Sequence, residues 1–339
     1  MGKNKNMKKT IRWGIIGCGK IAAKFASDLK LVDDAVLYAV AARSYDAAAA
    51  FAATHQASKA YDNYTALVQD ESVDVIYIAT PHSFHYEHTM LCIAHGKAVL
   101  CEKPFAINTL QATEMINFAR KQKVFLMEAL WTKFLPHYQQ LIQMIQEGKL
   151  GVLQSVLINF GFKPQAPVSP RLFDPELGGG TLMDIGIYNV FMALSILGKP
   201  QQIQAVMVPH AATGVDEQCA VLFTYPNGAM AQLFSSFVTT LPTEAEIAGT
   251  AGSIRLTSRF YEPSATIQYY HFTIRETTEI LVPKESGFGY QYEARHVNQC
   301  LKKGLTESPV MAHADTLLLM ETLDAIRKTA GIRYPEDAY

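Results

Sequence analysis

The sequence predicts two architectures in series: a parallel α/β domain, followed by an α+β domain built on a large, open, mainly antiparallel sheet. Three observations carry this expectation. Up to about residue 130, short apolar runs alternate with helical patterns; beyond about residue 150, β-rich segments follow one another without helices between them; and a glycine-rich turn, G-x-G-x-x-A, joins the first apolar run to the first helical pattern. The 339 residues leave room for about two domains, and 49% hydrophobic with 18% charged residues is a globular composition.

In chain order, residues 11–16, 35–42, 73–79, 98–101 and 124–129 are apolar runs of buried-strand length. Helical patterns at 21–30, 45–55, 86–95 and 110–122 separate them, which implies βαβ units with right-handed crossovers. Segments 152–162, 201–208, 218–225, 229–238, 244–248, 253–257 and 266–272 then read as strands whose neighbours pair antiparallel. The Asn-Gly pair in Tyr225-Pro-Asn-Gly228 suits a tight hairpin, and Gly249-Thr-Ala-Gly252 supplies glycines at a second turn. A helix over 181–197 precedes this sheet, and amphipathic helices over 290–303 and 313–329 close the chain. The domain division expected is 1–130 and 131–339, with the last helix free to pack back on the first domain.

Thirty basic against thirty-one acidic residues leave a net charge of −1, with no field to hold nucleic acid or an anionic membrane surface. Small-molecule partners are therefore expected. Lys3, Lys5, Lys8 and Lys9 read as a solvated tail rather than a binding arm. Five cysteines, at 18, 92, 101, 219 and 300, form no C-x-x-C pair, which argues against a disulfide framework or a zinc site and for a reducing compartment. The start lacks the apolar core of a signal peptide, and no run near 20 apolar residues is present, so a soluble cytoplasmic protein without a metal is expected.

The turn Gly17-Cys18-Gly19-Lys20-Ile21-Ala22 matches a dinucleotide-binding pattern. Its first glycine permits the tight turn, its second admits a pyrophosphate, and the helix N-terminus offers unpaired N–H groups to the anion. After the second strand, where NAD enzymes usually carry an acid, this chain has Arg43-Ser44. A guanidinium fork and a hydroxyl there favour a 2′-phosphate, so NADP(H) is expected over NAD(H). The plainer alternative is a solvated arginine beside a pocket that takes either cofactor.

Glu102-Lys103-Pro104 ends the run at 98–101, where Lys103 would project into the crevice such sheets use for ligands. Gly178-Gly179-Gly180 precede an apolar helix in which Asp184 and Tyr188 share a face at i and i+4. Three glycines point to close approach of backbone by a ligand or another segment. Trp131 and Phe134 would border the interdomain crevice as an aromatic wall, or else pack the domain junction. Arg171 and Phe173, just before the glycines, are placed to reach a substrate.

These motifs together resemble the Gfo/Idh/MocA oxidoreductases: the G-x-G-x-x-A turn, Thr80-Pro81 with His85, Glu102-Lys103-Pro104, Gly178 to Gly180 with Asp184, and Gly249-Thr-Ala-Gly252. Tyr188, where many relatives carry histidine, and residues 127–136 are most similar to the branch of dimeric dihydrodiol dehydrogenase and NADP-dependent xylose dehydrogenase. Two departures are visible: His82 where an asparagine often follows Thr-Pro, and Lys133 where an arginine is common. The resemblance implies an N-terminal Rossmann domain and a C-terminal open sheet used in forming a homodimer or higher homo-oligomer. It also implies hydride transfer between nicotinamide and a secondary alcohol or hemiacetal carbon of a sugar, polyol or trans-dihydrodiol. Thr80, Pro81, His85, Glu102 and Lys103 then fall at cofactor positions, and Lys103, Tyr188 and Asp184 at catalytic ones; Arg171, Trp131 and Phe134 are expected on the substrate side from their placement alone. A tyrosine of ordinary pKa near 10 needs a drop of about two to three units to act as a base near neutrality. The Lys103 ammonium is expected to supply it, with Lys103 itself as the alternative proton donor. The other functions open are an NAD-dependent inositol-type dehydrogenase and a non-catalytic NADP-binding regulator.

Overall fold

A computed structural model describes residues 10–257 and 259–337; Lys3, Lys5, Lys8 and Lys9 lie outside them. The apolar runs form a parallel sheet because each is flanked by a helix that covers one face. In order these are β1 (Ile11–Ile16), α1 (Lys20–Leu29), β2 (Ala35–Ala41), α2 (Tyr45–His55), β3 (Lys59–Tyr61), α3 (Tyr64–Gln69), β4 (Val75–Ile78), α4 (His85–Ala94), β5 (Ala98–Glu102), α5 (Thr109–Gln122) and β6 (Leu126–Ala129). The six strands lie in the order β3-β2-β1-β4-β5-β6, so the chain reverses direction across the sheet between β1 and β4. That is the switch point at which such sheets leave a ligand crevice.

Helix α6 (Pro136–Gln146) leads to β7 (Leu153–Gly161), and α7 (Ile187–Leu197) to β8 (Gln202–Pro209), β9 (Asp216–Thr224), β10 (Met230–Ser236), β11 (Glu244–Gly249), β12 (Gly252–Thr257), β13 (Thr266–His271) and β14 (Glu276–Ile280). The second sheet has the order β14-β13-β12-β11-β7-β10-β9-β8. All its pairs are antiparallel except β7 with β10, which run parallel because the long segment through α7 separates them. The Asn-Gly hairpin forms as expected, with the Gly228 amide donating to the Tyr225 carbonyl at 3.0 Å. Val156, Ile158, Phe223 and Leu233 are buried on one face, whereas Leu157, Val206 and Met230 on the other are 39%, 69% and 40% exposed. The apolar stretch Pro175–Leu197 is long enough by composition to cross a membrane, but 72% of its apolar window is buried inside the fold.

The chain then returns to the first sheet. Helix α8 (Tyr290–Lys302) packs on α1, where the Trp13 indole donates to Asn298 Oδ1 at 3.1 Å. Helix α9 (His313–Ala330) packs on α5, and Asp324 accepts from the Thr109 amide at 2.8 Å. Thr316 of α9 also donates to Glu128 Oε2 of β6 at 2.9 Å.

Burial pushes Glu128 up to about 7, against the Thr316 hydroxyl, which favours the charged form. An unfolded glutamate titrates near 4.3, so the folded chain holds an extra proton between the two values. Stability must therefore fall as pH rises through that window. Glu128→Gln should flatten this slope when melting temperatures are compared at about pH 5 and about pH 8; equal slopes in the two proteins would contradict a buried, protonated Glu128.

Candidate active site

At the first crossover, Gly17 has φ +94°, and a Cβ there would stand 2.7 Å from the Ala79 carbonyl oxygen, so the turn requires glycine. Gly19 differs: a Cβ would meet nothing within 4 Å. It caps α1, and no side chain satisfies the N–H groups of that helix. Unpaired amides facing open space fit an anionic pyrophosphate. The Cys18 thiol points to the Ala41 carbonyl at 3.7 Å and is pushed up to about 11 by burial; Lys20 and Ile21 are exposed. Arg43 is exposed just past β2 and forms no hydrogen bond or ion pair with a described residue. The Ser44 hydroxyl accepts from the Ala47 amide at 3.4 Å as the cap of α2, which leaves its own proton to donate.

Thr80 pairs through its hydroxyl with His88 Nδ1 at 3.0 Å and presents its carbonyl to His85 Nε2 at 2.9 Å. His85 Nδ1 lies 2.7 Å from the Pro104 carbonyl, so this wholly buried ring braces the 80–81 turn against the 103–104 segment. Burial draws its pKa to about 4, against the two carbonyls, which favour the charged form. Glu102, also buried, accepts from the Tyr77 hydroxyl and, at 3.1 Å, from the Lys103 amide. Burial raises its pKa.

Lys103 reaches across to the second half of the chain. Its Nζ donates to the Asp184 carbonyl at 2.5 Å, stands 3.9 Å from Asp184 Oδ1, and lies 4.9 Å from the Tyr188 ring centroid. Asp184 sits in a widened, π-type turn, Leu182–Gly186, that opens into α7, where Tyr188 occupies the first turn. Both guanidinium Nη atoms of Arg171 donate to Asp184 Oδ1 at 3.2 Å. Burial alone would raise Asp184, but the Lys103 and Arg171 charges outweigh it and hold the carboxyl near 2. The three glycines before this turn are explained by other chain segments: a Cβ at Gly178 would stand 2.8 Å from His82 Cβ, and one at Gly179 2.7 Å from the Arg171 carbonyl.

His82, singled out only as a departure from the pattern, joins the cluster. Its Nδ1 lies 2.9 Å from the Gly178 carbonyl, and its Nε2 lies 3.4 Å from Arg171 Nη1 and 3.7 Å from Asp184 Oδ1. Burial, then the Arg171 charge, hold its pKa well below 6.5. We assign the neutral tautomer that donates from Nδ1 to Gly178 and accepts at Nε2 from Arg171.

Tyr188 corrects a second expectation. Lys103 stands over the ring face rather than beside the oxygen, and burial pushes the phenol well above its ordinary value instead of letting it fall. The hydroxyl accepts from Trp131 Nε1 at 3.0 Å. Lys103 moves the other way: burial lowers its pKa, with Asp184 and Glu102 opposing. Trp131 thus meets the tyrosine, whereas the Phe134 ring lies against His296 at 4.9 Å. Phe173 packs on His210 at 4.4 Å. Sequence reasoning missed Tyr261 and Phe160, whose ring centroids lie 4.9 and 6.1 Å from that of Tyr188, and Tyr290, stacked on Trp131 at 4.5 Å. Tyr261 and Phe160 also line a hollow of about 440 Å³ with Phe162, Leu241 and Arg259. Among the described residues no group of His, Cys, Asp and Glu is gathered to hold a metal.

Residues 11–130 match the family described as an oxidoreductase family with an NAD-binding Rossmann fold, GFO_IDH_MocA, and residues 138–255 match the GFO/IDH/MocA C-terminal domain. Curated relatives include the trans-1,2-dihydrobenzene-1,2-diol dehydrogenases of Xenopus tropicalis, 38% identical over 332 residues, and Homo sapiens, 38% identical over 338. Each alignment covers 96% of this chain and 99% of the relative. A 3-ketoreductase of Actinomadura kijaniata, solved with NADP and TDP-benzene, superposes with a TM-score of 0.86 at 26% identity, covering 95% of this chain and 98% of the other. An aldose-aldose oxidoreductase of Caulobacter crescentus shares the fold, with a TM-score of 0.87 at 22% identity and coverage of 95% and 98%.

Proposed function

The chain belongs to the Gfo/Idh/MocA family of oxidoreductases, and from that premise we propose that it transfers hydride between NADP(H) and a secondary alcohol or hemiacetal carbon of a trans-dihydrodiol, sugar or polyol. The observation that carries this reading is the convergence on one spot of a buried ammonium from β5 and an acid and a phenol from the start of α7. Residues 1–130 form the cofactor half in this reading, and 131–339 the substrate and assembly half.

The turn Gly17-Cys18-Gly19-Lys20-Ile21 would hold the pyrophosphate, Arg43 and Ser44 the 2′-phosphate, and Thr80, Pro81, Glu102 and Lys103 the nicotinamide end, with His85 bracing the last two segments. When bound, the cofactor supplies the two-electron hydride chemistry at its ring. The chain's own groups handle the proton. In oxidation, neutral Lys103 Nζ takes the proton of the substrate hydroxyl as the carbonyl forms; in reduction, the ammonium returns it. The lowered pKa of Lys103 and the raised one of Tyr188 support this assignment over a tyrosinate base. Tyr188 stays a phenol and donates a hydrogen bond to the same oxygen. Asp184, ionised and held by Arg171, accepts from neighbouring substrate hydroxyls. Phe160 and Tyr261 supply apolar wall for a ring.

Purified protein should therefore reduce NADP⁺ in the presence of a dihydrodiol, aldose or polyol. Lys103→Met should cost about 10²–10⁴-fold in turnover, far more than it costs in cofactor affinity, and the rate of oxidation should rise with pH through a pKa below 10.5, since the amine must be neutral. Silence across the substrate panel with NADPH still bound would favour the regulator, and a wild-type rate in Lys103→Met would sink the assignment.

Selectivity for the phosphorylated cofactor rests locally on Arg43, not on the charge of the whole chain. Arg43→Ala should weaken NADPH binding far more than NADH binding in a fluorescence titration; equal losses would show that the guanidinium reads no 2′-phosphate.

The open face of the second sheet carries a hollow of about 500 Å³ lined by Leu157, Val206, Leu222 and Phe234. An apolar sheet face without helices suits a second copy, and we read it as a homodimer interface. Val206→Lys should then yield a monomer by light scattering; an unchanged mass would place the interface elsewhere. All five cysteines are free thiols, four of them buried, which suits the reducing cytoplasm; cell fractionation checks that placement.

A further inference from the structure

Helix α1 bears the glycine turn at its N-terminus and, near its other end, Asp28, a carboxylate only 1% exposed. Asp28 forms no ion pair with a described residue. Its Oδ1 accepts from the Phe288 amide at 2.9 Å, and its Oδ2 accepts from the amides of Gly289 at 2.8 Å and Tyr290 at 2.9 Å. The Tyr290 amide is an orphan donor of the α8 N-terminus, whose capping position, Gly289, has no side chain to satisfy it; the Gly289 amide is shared with Gln291 Oε1 at 3.0 Å. The carboxylate on one helix thus caps another helix 260 residues away in sequence.

The capped segment is pressed against the aromatic group beside Tyr188. Gly289 has φ +112°, and a Cβ there would stand 3.0 Å from Trp131 Cζ3, so bare backbone abuts the indole. Tyr290, the next residue, stacks on the same indole with centroids 4.5 Å apart and planes 5° from parallel. Trp131 in turn donates its Nε1–H to the Tyr188 hydroxyl at 3.0 Å. An indole only donates, so the phenol oxygen accepts from it and the phenol's own proton is directed elsewhere.

We propose that Asp28 is a positioning residue of the reaction: by capping α8 it fixes Gly289 and Tyr290 against Trp131, and through the indole N–H it fixes the direction in which Tyr188 donates. This rests on the reading that Tyr188 hydrogen-bonds the reacting oxygen. Rigid support of this kind matters because a displacement of about 1 Å at a reacting group costs about a hundredfold in rate. Asparagine at 28 keeps one acceptor oxygen but turns the other into a donor that faces a backbone N–H, so at least one of the three bonds is lost and the cap is distorted while side-chain volume is kept.

The test uses the full-length protein labelled with ¹⁵N at its two tryptophans, Trp13 and Trp131. Trp131→Phe assigns the two indole resonances. Asp28→Asn should shift the Trp131 resonance and lower kcat by about tenfold or more, with cofactor affinity unchanged. An unmoved Trp131 resonance, or a kcat within about twofold of wild type, overturns the proposal even if the melting temperature falls. Should Asp28→Asn fail to fold, Tyr290→Leu keeps the capped backbone and removes only the stacked ring; it must show the same shift and the same loss, and its failure to do so overturns the proposal equally. A Tyr188→Phe variant with full turnover would remove the underlying reading, whereas wild-type kcat in Asp28→Asn beside a dead Tyr188→Phe would remove this inference alone.

Discussion

A buried ammonium needs compensation for its lost water, and Lys103 finds its hydrogen-bond partner across the gap between two sheets. Taking an ion out of water costs several kcal/mol even after relaxation, so an unpaired Lys103 would be untenable at the end of β5. The Asp184 carbonyl and carboxylate supply the compensation. Arg171 donates to the same carboxylate and neutral His82 lies beside it, so its charge is shared between two cations. The position of α7 against the first sheet is therefore an electrostatic requirement as well as a packing one, and Tyr188, at the start of that helix, is brought under the lysine as a consequence.

The same economy appears in α1. One end presents free amides at an uncluttered glycine, and the other presents Asp28 to the amides of α8. Because α8 follows the second sheet in sequence yet packs on the first, the chain closes on itself around the crevice. Aromatic side chains fill the join: Tyr290 on Trp131, Trp131 to Tyr188, and Tyr188 beside Tyr261. Burial of that group raises the phenol pKa, while burial of Lys103 lowers the amine's, which separates a hydrogen-bond donor from a proton carrier within one small cluster.

Much of the fold is legible in the sequence because long apolar runs and glycine turns are local signals. Gly17 is forced by a carbonyl that any βαβ crossover brings close, so the motif and the structure say the same thing. β3 (Lys59–Tyr61) escapes because three half-exposed residues carry no period, and β14 because Glu276-Thr-Thr-Glu-Ile280 is polar. The parallel pairing of β7 with β10 depends on where a long connection returns, which no local pattern records. In the site, Lys103, Asp184 and Tyr188 stand in recognisable motifs, whereas Tyr261, Phe160 and Tyr290 come from unrelated segments and meet only in three dimensions. The direction of the Tyr188 shift was illegible for a related reason: an ammonium near a phenol lowers its pKa only if it lies by the oxygen and burial does not prevail, and neither condition is written in spacing.

The central claim is that Lys103 carries the proton that moves. Its side-chain amine can be followed directly by NMR titration, with Lys103→Met to assign the resonance. Titration below the ordinary 10.5, with Asp184 still ionised, is what the buried cluster predicts; a normal or raised value would contradict it and return the proton to Tyr188.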